Sequence, residues 1–104
     1  MKDFRVEAIA QTEFEEVAGW YETQREGLGF EFIAEIDRVL ERIAHQETFP
    51  TAPIATVEGG VVRREFVERF PYVVVFVETS NDRRVIMIRR GNSDPARWRG
   101  RLER

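Results

Sequence analysis

Fifteen of the sixteen basic side chains in this sequence are arginine, and most stand in its second half. Arg63, Arg64 and Arg69 surround one candidate strand, and Arg83, Arg84, Arg89 and Arg90 bracket another. Arg97, Arg99, Arg101 and Arg104 crowd the end of the chain beside Trp98. A guanidinium is a planar, permanently charged fork that fits a carboxylate or a phosphate, which a lysine ammonium does not imitate. Acid–base chemistry has far less to work with. There is no cysteine, which excludes thiolate catalysis, a disulfide scaffold and Cys-based zinc sites. His45 is the single histidine, and in the last turn of a helix its partly charged ring suits the macrodipole better than a catalytic role. Glu15 with Glu16, and Glu31 with Glu35, are carboxylate pairs on amphipathic helices and read as solvated faces. Gly27-Leu28-Gly29 lacks the later glycine and the preceding strand of a dinucleotide site, so it reads as helix punctuation. No catalytic residue, metal-ligand set or cofactor motif follows from these residues.

The elements that must position the arginines are legible from periodicity. Phe4 to Ile9 alternates apolar and charged residues, as a strand with one buried face does. Thr12-Glu13-Phe14-Glu15 has the spacing of a capping box, and Phe14, Val17, Ala18 and Tyr21 recur at helical spacing after it. Trp20 and Tyr21, about 100° apart on a helix, cannot both point inward, so one of them is a half-buried rim residue or an exposed anchor for a partner. A second helix carries Phe32 or Ile33, Ile36, Leu40 and Ile43, and the Gly27–Gly29 link makes the two an αα-hairpin. Pro50 and Pro53 end it. Three strands are then predicted, Val61–Glu68, Tyr72–Thr79 and Arg84–Arg89, the middle one apolar on both faces and therefore central. Asp94-Pro95 predicts a short Arg-rich helix over residues 95–104.

The expectation is a single α+β domain over residues 1–104: an N-terminal strand, an antiparallel helical hairpin, a three-stranded antiparallel sheet and a short C-terminal helix. A length of 104 residues leaves no room for a second lobe, and 42% hydrophobic residues suffice for a core. The longest uncharged apolar run, Phe70 to Val77, is too short to cross a bilayer and no secretory segment opens the chain, so a soluble cytoplasmic protein is expected. Residues 1–52 carry 5 Lys/Arg against 12 Asp/Glu, net −7, while residues 53–104 carry 11 against 7, net +4, giving −3 overall. With helices on one face of the sheet, arginines of one parity on neighbouring strands would share the open face. There they would repel one another unless an anion or acidic partner sat among them.

The run Arg63-Arg64-Glu65-Phe66-Val67-Glu68-Arg69-Phe70-Pro71-Tyr72-Val73-Val74-Val75-Phe76 resembles the ParE branch of the ParE/RelE toxin superfamily. So do Trp20-Tyr21, Gly27-Leu28-Gly29-Phe30-Glu31-Phe32 and Asp94-Pro95-Ala96-Arg97-Trp98, in that order along nearly the whole chain. The resemblance implies a plasmid-stabilisation toxin of a type II toxin–antitoxin system, held in a hetero-oligomer by the acidic C-terminal segment of a cognate antitoxin. It further implies DNA gyrase as the target for ParE-type members and ribosome-bound mRNA for RelE-type members. Arg63, Arg64, Arg69, Arg89, Arg90, Arg97 and Trp98 are the candidate antitoxin- or target-binding residues. Two departures bear on the chemistry. Arg90 stands where many relatives have histidine, and Asn92-Ser93 replaces their Arg-Arg pair. With no lysine beyond Lys2, no histidine in the strands and no tyrosine after Tyr72, RNA cleavage is disfavoured. The expected activity is inhibition by binding, with an mRNA endonuclease or a non-toxic interaction module as alternatives.

Overall fold

A computed structural model describes residues 2–91 and 98–102. The chain runs β1 (Asp3–Val6), α1 (Ala8–Gln24), α2 (Leu28–His45), β2 (Ala55–Val57), β3 (Gly60–Phe66), β4 (Tyr72–Thr79), β5 (Asp82–Arg90) and α3 (Arg99–Leu102). The α+β class and helical hairpin are as expected, but the sheet is not three-stranded and antiparallel. It has five strands in the order β1-β5-β4-β3-β2. β1 joins β5 in parallel, with Phe4 opposite Arg83 and Val6 opposite Val85, and the other pairs are antiparallel. The helical hairpin carries the chain from β1 at one edge of the sheet to β2 at the other, and the antiparallel strands then return it to β5 beside β1. The fifth strand comes from Ala55–Val57, which turns through Glu58-Gly59 to pair Val57 with Gly60. Three residues after a proline-rich stretch carry too little alternation to reveal it in sequence. The predicted cap at Asp94-Pro95 lies outside the described residues, and α3 begins at Arg99.

The start of α1 also differs. Glu7 N–H donates to Val85 O and Gln11 N–H already donates to Glu7 O, so the helix begins at Ala8. Thr12 lies inside it and forms no capping box. Because β1 must end where its pairing with β5 ends, the chain turns into the helix at once, and tertiary pairing overrides the local signal. At the other end of the hairpin, Gly27 takes a left-handed conformation (φ 88°). A Cβ on Gly29 would lie 2.6 Å from the Ala18 carbonyl oxygen, so a glycine is what lets α1 and α2 approach.

Two apolar layers flank the sheet. Beneath the helices, Ala10, Phe14, Tyr21, Phe32, Ile36, Val39 and Ile43 bury their side chains against Val74, Phe76, Val85 and Ile88. On the other face Val62, Val73, Val75, Val77, Ile86 and Met87 are covered by Trp98, with Leu102 packed beside it. Each large side chain removed from water in this way contributes about 2 kcal/mol. A bulge shapes β5: Val75 faces Met87 and Phe76 faces Val85, leaving Ile86 as the extra residue. Among the described residues no helix is long and apolar enough to cross a membrane.

Candidate functional site

The alternation of each strand decides where its arginines go. In β3, Val62, Arg64 and Phe66 point away from the helices, since Val62 and Val75, the partner of Arg64, belong to that layer. Arg63 and Glu65 point towards the helices. In β5, strict alternation would separate Arg84 from Arg89, but the bulge at Ile86 inserts one residue and returns both to the face opposite the helices. Arg83 and Arg90 lie on the helical side. The expected single platform of uncovered guanidiniums is therefore split between two faces.

Most of these groups are also neutralised within the chain. Glu78, at the end of β4, receives Arg63 Nε at 2.8 Å on one oxygen and Arg83 Nε at 2.7 Å on the other, with Lys2 Nζ at 3.4 Å. Burial pushes the Glu78 carboxyl up, but hydrogen bonds from Arg63 and Arg83 together with the Lys2 charge outweigh it and the net direction is down. Arg83 is buried. It also donates to the carbonyls of Ile43, Gln46 and Glu47, closing the C-terminus of α2. Its guanidinium, like that of Arg63, lies over the Phe49 ring. Arg69, in a left-handed conformation (φ 73°) in the β3–β4 turn, reaches Glu31 at 2.6 Å and Glu35 at 3.7 Å. Hydrogen bonds from Arg69 and Arg25 hold the Glu31 carboxyl below its ordinary value. Glu31 and Glu35 are thus not a solvated pair: Glu35 is buried and also holds Arg38 at 2.7 Å. Arg84 approaches Glu7 at 3.1 Å and Arg42 approaches Glu65 at 3.3 Å.

The remaining candidates fall apart in space. Arg64 is exposed, with its guanidinium over Phe66. Arg89 is 3% exposed and donates to Arg90 O. Arg90 is exposed over the Tyr72 ring. Arg97 lies outside the described residues. Trp98 is 3% exposed and packs on the sheet, so its ring is core and cannot present itself to a partner. His45 ends α2 beside Glu41 at 3.6 Å, as its place in the last helical turn suggested. Among the described residues, no group of three or more His, Cys, Asp or Glu side chains is placed to hold a metal ion.

Aromatic exposure is the feature the arginine pattern concealed. Phe30 is 80% exposed, Phe66 62% and Trp20 53%. Tyr21 is the inward member of the Trp20-Tyr21 pair, edge-on to Phe70 at 4.9 Å. Trp20, Phe30 and Phe66 all lie towards the end of the molecule where the α1–α2 link meets the β3–β4 turn. Tyr21 contacts Phe70 and Tyr72 there, and Arg69 of the turn pairs with Glu31 of α2. A shallow hollow of about 350 Å³ opens at this end, lined by Phe66, Phe70, Pro71, Tyr72, Arg90 and Gly91 among others. Periodicity could have flagged Phe66 from its shared parity with Arg64, and Phe30 from its place outside the Phe32–Ile36–Ile43 stripe. Glu78 had a signal too, as the one acid on an otherwise apolar strand. Comparison with family models, curated proteins and solved structures finds no match.

Proposed function

We propose that this protein is a ParE-like toxin of a type II toxin–antitoxin system, which disables its target by binding and is neutralised by a cognate antitoxin. The observation that carries the reading is the exposure of Phe30, Phe66 and Trp20 at one end of a chain whose arginines are largely satisfied by its own carboxylates. Large exposed aromatics are the composition of protein-binding surfaces, and Phe66 has the Arg64 guanidinium over its ring and lines a hollow with Arg90. A polyanion surface would instead leave its guanidiniums uncompensated. That favours a protein target, DNA gyrase, over ribosome-bound mRNA, and the sequence resemblance supplies the choice of gyrase. Arg64 and Arg90 remain the candidate contact residues at this end, while Arg63 and Arg69 act mainly through their internal ion pairs.

Purified protein should inhibit DNA supercoiling by gyrase or trap cleaved DNA, and should leave translated mRNA intact. Codon-specific cuts in ribosome-bound mRNA, lost on Arg64→Ala or Arg90→Ala, would replace this reading with the endonuclease. Harmless expression in a bacterial host without antitoxin would replace it with a non-toxic interaction module.

A further inference from the structure

The side of the sheet that β1 borders is closed at one end and open at the other. β1 pairs with β5 only as far as Val85. Beyond it side chains cover the edge of β5: Glu13 accepts from Ile88 N–H at 3.1 Å, and Arg101 donates to Ile86 O at 2.7 Å. β1 itself ends the strand order, and among the described residues no strand lies on its outer side. Asp3 N–H donates to Asn81 O and Glu7 N–H to Val85 O, so the odd-numbered residues carry the ladder to β5. The backbone groups of Phe4 and Val6 therefore point outwards.

The charges of this strand suit a single copy poorly. Asp3 stands opposite Asp82 and Arg5 opposite Arg84, like against like. Arg84 is drawn to Glu7 at 3.1 Å, but Arg5 reaches Asp82 only at 3.9 Å, and among the described residues Asp3 has no ion pair. Asp3 and Arg5 are both exposed. They lie on the face away from the helices, because Phe4 and Val6 pack into the layer beneath the helices.

We infer that β1 is a self-complementary edge through which two copies of this chain join into one continuous sheet. A two-fold axis at Phe4 sets the two strands antiparallel, with Phe4 opposite Phe4 of the second copy and Lys2 opposite its Val6. In that register the outward backbone groups meet as hydrogen-bonded pairs. Asp3 then lies directly opposite Arg5 of the second copy, and the reverse, at a Cβ separation of about 5 Å. The row Asp82–Asp3 of one copy continues into Arg5–Arg84 of the other, and this charge complementarity selects the occupant. On the helical face Phe4 lines a hollow of about 520 Å³ with Leu40 and Ala44, which the facing Phe4 ring narrows. Asp37 and Glu41 border the same hollow, and their copies across the axis keep the association weak. So does its size, since Lys2 to Val6 span about 17 Å, short of a standard interface. A uniformly basic segment of another protein would suit those two acids but would leave Arg5 facing a like charge. The inference goes beyond the proposed function and does not rest on it, since β1 lies across the sheet from β3.

The test is sedimentation of the full-length chain from micromolar to millimolar concentration, with amide exchange followed by NMR. A reversible monomer–dimer equilibrium is expected, with protection at Phe4 and Val6 that grows with concentration. Asp3→Arg and Arg5→Asp each set like charges across the axis and should weaken the dimer about tenfold, the reach of two exposed pairs. Neither should lower the thermal midpoint at micromolar concentration, since each replaces a like-charged neighbour of β5 by an opposite one. An equimolar mixture of the two variants should regain wild-type association, because opposite charges then face each other again. A chain that stays monomeric at millimolar concentration would overturn the inference and leave the edge to a different protein. So would a dimer that neither substitution weakens, as one formed through Trp20, Phe30 and Phe66 would be, or a mixture that does not restore it. Protection at Phe4 and Val6 that ignores concentration would also overturn it, since the edge would then be closed within the chain. Dimerisation without gyrase inhibition would remove the poisoning reading alone, and gyrase inhibition by a strict monomer would remove the dimer alone.

Discussion

Glu78 anchors more charge than any other carboxylate in the described structure, holding Arg63, Arg83 and Lys2 within 3.4 Å. Its side chain is 12% exposed and that of Arg83 6%, so removing the carboxylate strands a guanidinium away from water. Glu78→Ala is expected to cost about 2 kcal/mol, read as a lowered urea midpoint at unchanged m-value. The sign with pH follows from the lowered carboxyl. Its stabilisation is complete above the ordinary glutamate value of 4.5 and is lost as pH falls below that, through the depressed folded value. Acid titration of stability should therefore be shallower below pH 4.5 in Glu78→Gln than in wild type; superimposable acid limbs would refute the assignment.

Among elements, the hairpin and the cover of the second sheet face are the most exposed to single changes. Gly29→Ala pushes a methyl group into the Ala18 carbonyl and should cost about 1–3 kcal/mol in thermal or urea unfolding. Thr12→Ala, by contrast, should fall within about 0.5 kcal/mol of wild type, because Thr12 is an exposed interior position of α1 and not its cap. A loss of about 1 kcal/mol or more would restore the capping box that the sequence suggests. Trp98→Ala should cost about 3 kcal/mol and expose the layer around Val73, Val75 and Ile86, seen as binding of a hydrophobic dye. Glu13→Ala should speed amide exchange at Ile88, since it removes both that amide's acceptor and the anchor of Arg101.

For the molecule as a whole, the distribution of ion pairs argues against general affinity for nucleic acid. The second half of the chain is net +4, yet Arg63, Arg69, Arg83, Arg84 and Arg101 each face a glutamate. The protein should elute early from a heparin or phosphate matrix at physiological salt, with a shallow dependence on ionic strength. Strong retention that Arg64→Glu abolishes would mean the guanidiniums are more available than these pairings allow.

Periodicity by itself determined the helical hairpin, the central valine strand and the α+β class, because those depend on apolar spacing within one segment. It also placed His45 at a helix end and Gly27–Gly29 at the turn. Tertiary structure alone decided what the arginines do. The bulge at Ile86 set the face of Arg89, the register of β3 on β4 brought Arg63 to Glu78, and the β3–β4 turn carried Arg69 to Glu31. The parallel docking of β1, the short strand β2 and the burial of Trp98 were hidden for the same reason. Apart from β2, which pairs locally and is too short to show alternation, each depends on a partner ten or more residues away, and a charged side chain's environment is fixed by that partner, not by its neighbours in the chain.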